Sequence, residues 1–252
     1  MSFRFAFVWA LGLLAAAPVA ACRAQNQTPM LTPQEVRALS TGYYSAYEYD
    51  RVVAKVALTP EQAYFTPDWL PGTLWLPGGE KAPVAALRYN LALRLVEVRD
   101  PTIPAGVRIV PVGSLRGFTL GAEGKAGSRS FEARSVDRSA NSRNFFEVLN
   151  AGALQLLLLH TLDEKAANWI AAYNLETRPA SIGRVTRLFV ARPGQQLVEE
   201  LPLKRKAAEK LFGDKATQVA AYAAGKNLSY EQVPDLVWMV DYYNSLLNVP
   251  HE

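Results

Sequence analysis

The chain has 252 residues, half of them hydrophobic, with charged residues at 20% and aromatics at 10%. This supports a substantial buried core and excludes disorder as the dominant state. The net charge of +4 comes from Lys and Arg interspersed with Asp and Glu, a pattern that argues against a nucleic-acid partner and suits an anionic envelope surface or an acidic glycan.

Residues 1–22 have the organisation of a bacterial signal peptide. Arg4 supplies the positive start, and the apolar stretch from Phe5 to Ala17 is too short to cross a bilayer. Val19-Ala20-Ala21-Cys22 then resembles a lipobox, which makes Cys22, the one cysteine of the chain, the candidate lipidation site. A lone thiol exported to an oxidising compartment has no disulfide partner, and a lipid anchor gives it a use. Ordinary signal peptidase cleavage after Ala21 or Ala24 is the alternative. Either route predicts an exported protein, in the periplasm or associated with the outer membrane as a lipoprotein, or else secreted.

Residues 23–203 are expected to form a β-rich body. It opens with a short helix that Thr32 caps and Pro33 starts and with a tyrosine-rich stretch, Tyr43 to Tyr49. From Pro60 to Pro111 closely spaced prolines rule out long helices, and short branched or aromatic runs such as Gly72 to Leu76 and Val107 to Val110 read as strands. Leu87 to Val98 reads as a single strand, because Leu87, Tyr89, Leu91, Leu93 and Leu95 alternate with polar or small residues. The polar interval Gly121 to Arg143 reads as a hairpin tip or mobile loop with a short strand around Phe131. Two hairpins follow. Asn150-Ala151-Gly152 reverses the first, between Phe145–Leu149 and Leu154–Leu162. Arg192-Pro193-Gly194-Gln195 turns the second, between Val185–Ala191 and Gln196–Leu201, as a type II turn.

Residues 204–252 are expected to be a helical extension packed on the same domain. Gly213 ends a helix over Lys204 to Phe212, Asp214 caps one over Lys215 to Ala224 that Gly225 stops, and a longer helix runs from Pro234 to Leu247. The expected fold class is therefore α+β, a mainly antiparallel sheet with turn-rich strands and hairpins followed by a C-terminal group of short helices.

Chemistry-bearing patterns are few. With two histidines, His160 and His251, and no second cysteine, a zinc site of the usual type is not expected, and no EF-hand loop is present. Gly113-Ser114-Leu115-Arg116-Gly117 places its serine one position too early for a nucleophile elbow. Gly121 to Ala126 lacks the spacing and hydroxyl of a phosphate loop. No cofactor is implied. Asp68, Glu80, Glu97, Asp137 and Glu147 are carboxylates from which a glycosidase pair would be drawn. Arg88, Asn90 and Arg94 are the candidate ligand-binding residues, because alternation projects them from one strand face, where guanidinium groups can bind an anion.

At Ala86-Leu87-Arg88-Tyr89-Asn90, Phe145-Phe146-Glu147-Val148-Leu149 and Asp241-Tyr242-Tyr243-Asn244, the chain resembles uncharacterised exported proteins of Bacteroidota, Hymenobacter-like bacteria in particular. The resemblance implies an envelope or secreted protein and supplies no catalytic residues. The expected function is a noncatalytic exported envelope protein that binds a protein partner or a glycan. The alternative is a metal-independent hydrolase of envelope or extracellular polymer using paired carboxylates.

Overall fold

The computed structural model describes residues 58–102, 106–139, 142–165, 168–170, 175–178 and 181–247. Cys22, the helix capped by Thr32, the tyrosine-rich stretch and His251 lie outside these residues.

A single helical turn, α1 (Pro60–Ala63), leads into the strands β1 (Leu70–Trp75), β2 (Lys81–Asn90), β3 (Leu95–Arg99), β4 (Val107–Pro111), β5 (Gly117–Leu120), β6 (Arg129–Ser135), β7 (Arg143–Val148) and β8 (Gln155–Lys165). After a two-stranded ribbon of β9 (Asn168–Ile170) and β10 (Leu175–Arg178) come β11 (Ser181–Ala191) and β12 (Glu199–Glu200). The other strands form one antiparallel sheet of ten, in the order β12-β11-β8-β7-β6-β5-β1-β2-β3-β4. The chain is therefore mainly an antiparallel β-sheet with a few C-terminal helices.

Hairpin connection explains every neighbour in this order but two. β8 and β11 are joined across the small ribbon, and β5 lies beside β1 because the chain turns back after β4 through a 3-10 turn at Val112–Ser114. One apolar cluster takes residues from all of β1 to β7, among them Leu74, Tyr89, Val96, Val110, Phe118, Phe131 and Phe145. At the closest approach of β5 to β6, a Cβ on Gly117 would lie 2.2 Å from the Phe131 carbonyl oxygen, so only glycine fits.

β8 and β11 are apolar on both faces. Leu157, Leu159, Phe189 and Ala191 pack with Phe146 and Val198, whereas Leu156, Leu188 and Val190 pack beneath the helices. Burial on both sides explains why Leu156 to Leu159 has no polar alternation. The covering helices are α2 (Arg205–Phe212), α3 (Ala216–Lys226) and α4 (Val233–Leu247). Leu236, Met239, Val240 and Tyr243 form the buried stripe of α4, and Leu247 is 42% exposed.

Asn244 anchors α4 to the turn between β7 and β8. Its Oδ1 accepts the Leu154 N–H at 2.9 Å, and its Nδ2 donates to the carbonyls of Leu154 at 2.8 Å and Ala151 at 3.1 Å. Gly152 makes room for it, since a Cβ there would lie 2.4 Å from Asn244 Nδ2. Asn244→Leu leaves buried backbone groups unpaired and is expected to lower unfolding free energy by about 1–3 kcal/mol. Urea denaturation reads this directly, and an unchanged midpoint would mean that the turn does not anchor the helix.

Two readings of the sequence are corrected. Leu87 to Val98 is not one strand, because the chain reverses at residues 91–94 between β2 and β3. Asn90 Oδ1 accepts the Leu93 N–H at 3.0 Å, and Arg94 takes a left-handed φ of 56°. By contrast, the short strand expected around Phe131 within Gly121 to Arg143 is present as β6, paired with β5 and β7. Finally, Asp214 lies in a 3-10 turn and makes no side-chain cap, and α3 ends past Gly225 at Asn227, which adopts a left-handed φ of 54°.

Candidate functional site

Arg88 and Asn90 share one face of β2, and that face is not open. Both side chains turn onto Glu97, directly across on β3 and fully buried. Arg88 Nε donates to Glu97 Oε2 at 2.8 Å, and Asn90 Nδ2 donates to Oε1 at 3.0 Å. The Tyr64 hydroxyl donates to Glu97 Oε1 at 3.1 Å and accepts from the Arg88 guanidinium at 2.8 Å. The guanidinium carbon also lies 3.9 Å from the Tyr64 ring centre and 4.3 Å from that of Trp69. A buried carboxylate with this many donors is a structural knot that fastens the segment after α1 to the β2–β3 hairpin. Arg94, carried off the strand by the turn, lines a separate open pocket with Asp137 and Arg187. The expectation that the three residues act from one strand face is thus corrected.

Of the five candidate carboxylates, Asp68, Glu80 and Asp137 are exposed, and Glu97 and Glu147 are buried. Glu147 on β7 accepts a hydrogen bond from Arg129 and lies 2.7 Å from Nε2 of His160, whose Nδ1 is 3.2 Å from the Thr186 hydroxyl. The Phe65 ring stands edge-on to the imidazole at 5.0 Å. Carboxylate, imidazole and hydroxyl are arranged in the order of a nucleophilic triad. His160 and Thr186, however, are directly opposed cross-strand partners, and none of the three residues lines the pockets around Arg116, Tyr230 or Arg94 among the described residues. The arrangement does what a satisfied sheet histidine does.

Burial works against ionisation of Glu147, but the hydrogen bonds from His160 and Arg129 outweigh it and hold the pKa below the ordinary 4.5. Asp100, buried at the end of the β3–β4 hairpin, is lowered from 3.8 to about 2, first by the Thr102 hydroxyl and then by Arg108, whose Nε lies at 2.7 Å. Both folded-state values lie below their unfolded ones, so each group stabilises the fold above about pH 5 and loses that contribution as pH falls towards 2. The thermal midpoint of the chain is therefore expected to drop across this window. Glu147→Gln and Asp100→Asn should each flatten that drop, and parallel curves for wild type and variants would contradict the assignment.

A feature able to admit a ligand lies at one end of the sheet. Trp75 and Leu76 at the end of β1, Arg116 before β5, Arg134 on β6, Arg143 on β7 and the β11–β12 turn around Gly194 enclose a cavity of about 370 Å³ open to solvent. Glu132, its one carboxylate, is paired with Arg134, which is 6% exposed and also donates to the Gln195 carbonyl. Lys81, also on the wall, pairs with Glu123 at 2.5 Å and lies 5.3 Å from the Trp75 ring centre. Arg143 donates to the Leu115 carbonyl at 3.2 Å. Among the described residues no carboxylate pairs with Arg143 or with Arg116, and the Arg143 Nε and Trp75 Nε1 are buried without a partner.

None of these pocket residues belongs to the set picked out from strand alternation. The local signal was the arginine-rich character of Gly121 to Arg143, but Arg129 of that interval turns to Glu147 whereas Arg134 and Arg143 turn to the pocket. Among the described residues no group of three or more His, Cys, Asp or Glu side chains is placed to hold a metal ion, and no helix is long and apolar enough to cross a membrane. Compared with known proteins, the chain matches no family model, no curated protein and no solved structure.

Proposed function

We propose that the chain is a noncatalytic exported envelope protein, tethered through lipidated Cys22, that binds a protein partner or a glycan. The observation that carries the reading is the pocket at the end of the sheet, whose lining contains four cations against one carboxylate. A wall of that kind recognises a ligand, but it has no second carboxylate for acid–base hydrolysis of a glycosidic bond.

The competing reading as a metal-independent hydrolase has less support. The buried carboxylates Glu97 and Glu147 are each held by a cation, and among the described residues the pockets around Arg116, Tyr230 and Arg94 are each lined by a single carboxylate. Export and the tether rest on the signal-peptide pattern of residues 1–22, and export also on the resemblance of the mature chain to exported Bacteroidota proteins.

Mild crosslinking of the native chain in its own host, followed by capture and intact mass, tests the reading. It predicts a lipid-sized mass addition at Cys22 and a stoichiometric protein or glycan retained on the chain. Recovery of a bare, unpartnered chain from the medium would overturn both the tether and the adaptor role.

A further inference from the structure

The pocket's charge is uncompensated in a way that specifies its ligand. Its Glu132 is already neutralised by Arg134, and Lys81 is already met by Glu123. What remains is the guanidinium groups of Arg116 and Arg143, with no carboxylate partner among the described residues and a solvent-open cavity between them. A guanidinium is a planar fork of donors matched to a carboxylate, and two such groups at one cavity favour an anion over a neutral group.

The remaining wall is suited to a hydroxylated ring. Trp75 offers aromatic surface, and Gln155 and Gln196 bring amides that can both donate and accept. The tight β11–β12 turn, with Gly194 at φ 79°, forms one side without closing the cavity, so a ligand can extend beyond it as a polymer does.

We propose that this pocket takes a carboxylated sugar, a hexuronate unit of an acidic polysaccharide. The assignment rests on the binding reading above and specifies its ligand. Arg116 is the residue through which it is best tested, because its side chain is exposed and makes no hydrogen bond or ion pair among the described residues. Its removal therefore leaves the fold intact.

Titration calorimetry of the full chain with trigalacturonate, with neutral maltotriose and with triglutamate tests the proposal. Trigalacturonate is expected to bind, more weakly as salt rises, and maltotriose to show no measurable binding. Arg116→Ala should weaken trigalacturonate at least about tenfold, the loss of one charge-assisted contact, and Arg116→Lys should recover only part of it. Equal binding of maltotriose, or an unchanged affinity in Arg116→Ala, overturns the uronate assignment while leaving a binding protein. Tighter binding of triglutamate overturns the saccharide in favour of an acidic peptide, again within the binding reading. Failure of all three to bind overturns the assignment, and the envelope crosslinking then decides separately whether the binding reading survives.

Discussion

Arg88→Met is expected to lower unfolding free energy by about 3–5 kcal/mol, because it breaks a buried ion pair by removing one partner. Glu97 is fully buried, and Arg88, itself only 19% exposed, pairs with it at 2.8 Å. The hydrogen bonds from Tyr64 and Asn90 remain but cannot replace a guanidinium. The double variant Arg88→Met with Glu97→Gln removes both charges and is expected to cost much less than the sum of the single changes, since neither side is then a buried unpaired ion. Urea unfolding of the four chains completes the cycle. An unchanged midpoint in Arg88→Met would return Arg88 to the role first read from the strand pattern, an arginine free for a ligand.

Phe131→Ala is expected to cost about 3–5 kcal/mol, the range for truncating a buried aromatic core residue. Phe131 is fully buried, stacks on Phe118 at 4.7 Å between ring centres, and meets Tyr89 at 5.5 Å and Phe65 at 5.1 Å edge-on. If Gly121 to Arg143 were a mobile loop, the same change would cost less than about 0.5 kcal/mol. Thermal or urea unfolding separates the two outcomes, and a small loss would contradict the placement of β6 in the sheet.

These two positions show what could be read from the amino-acid order and what could not. The turns at Asn150–Gly152 and Arg192–Gln195 were legible because their chemistry is local. Asn150 closes the first by donating to the Leu154 carbonyl and accepting the Leu156 N–H, and Gly194 supplies the positive φ of the second. The C-terminal helices were legible for the same reason, since Gly213 adopts a positive φ at the end of α2.

The turn between β2 and β3 was hidden because it uses neither Gly nor Pro, and the alternation of leucines continues through it. Leu91 and Leu93 are buried in the turn as they would have been in a strand, and the Leu91 N–H is taken by the Ala63 carbonyl at 2.8 Å. The short strand around Phe131 was legible, but the full extent of β6 was not, because its arginines and Glu132 dominate the local composition. Phe131 and Ala133 face the core, whereas Arg129 and Arg134 find partners on distant elements.

The pocket was hidden for a reason that no local pattern overcomes. Its arginines come from three separate places in the chain, and each by itself is an ordinary surface cation. Only the antiparallel order, which lays β5 beside β1 and brings the β11–β12 turn to the same end, assembles them.

We propose that this protein binds an acidic polymer and does not cut it. Affinity electrophoresis of the full chain through gels containing polygalacturonate, with reducing ends assayed in the same mixtures, tests it most directly. Retarded migration that is relieved in Arg116→Ala, with no new reducing ends, is the predicted result. Reducing ends that accumulate with wild type and vanish in Glu147→Gln or Glu97→Gln would contradict it and make the chain a hydrolase.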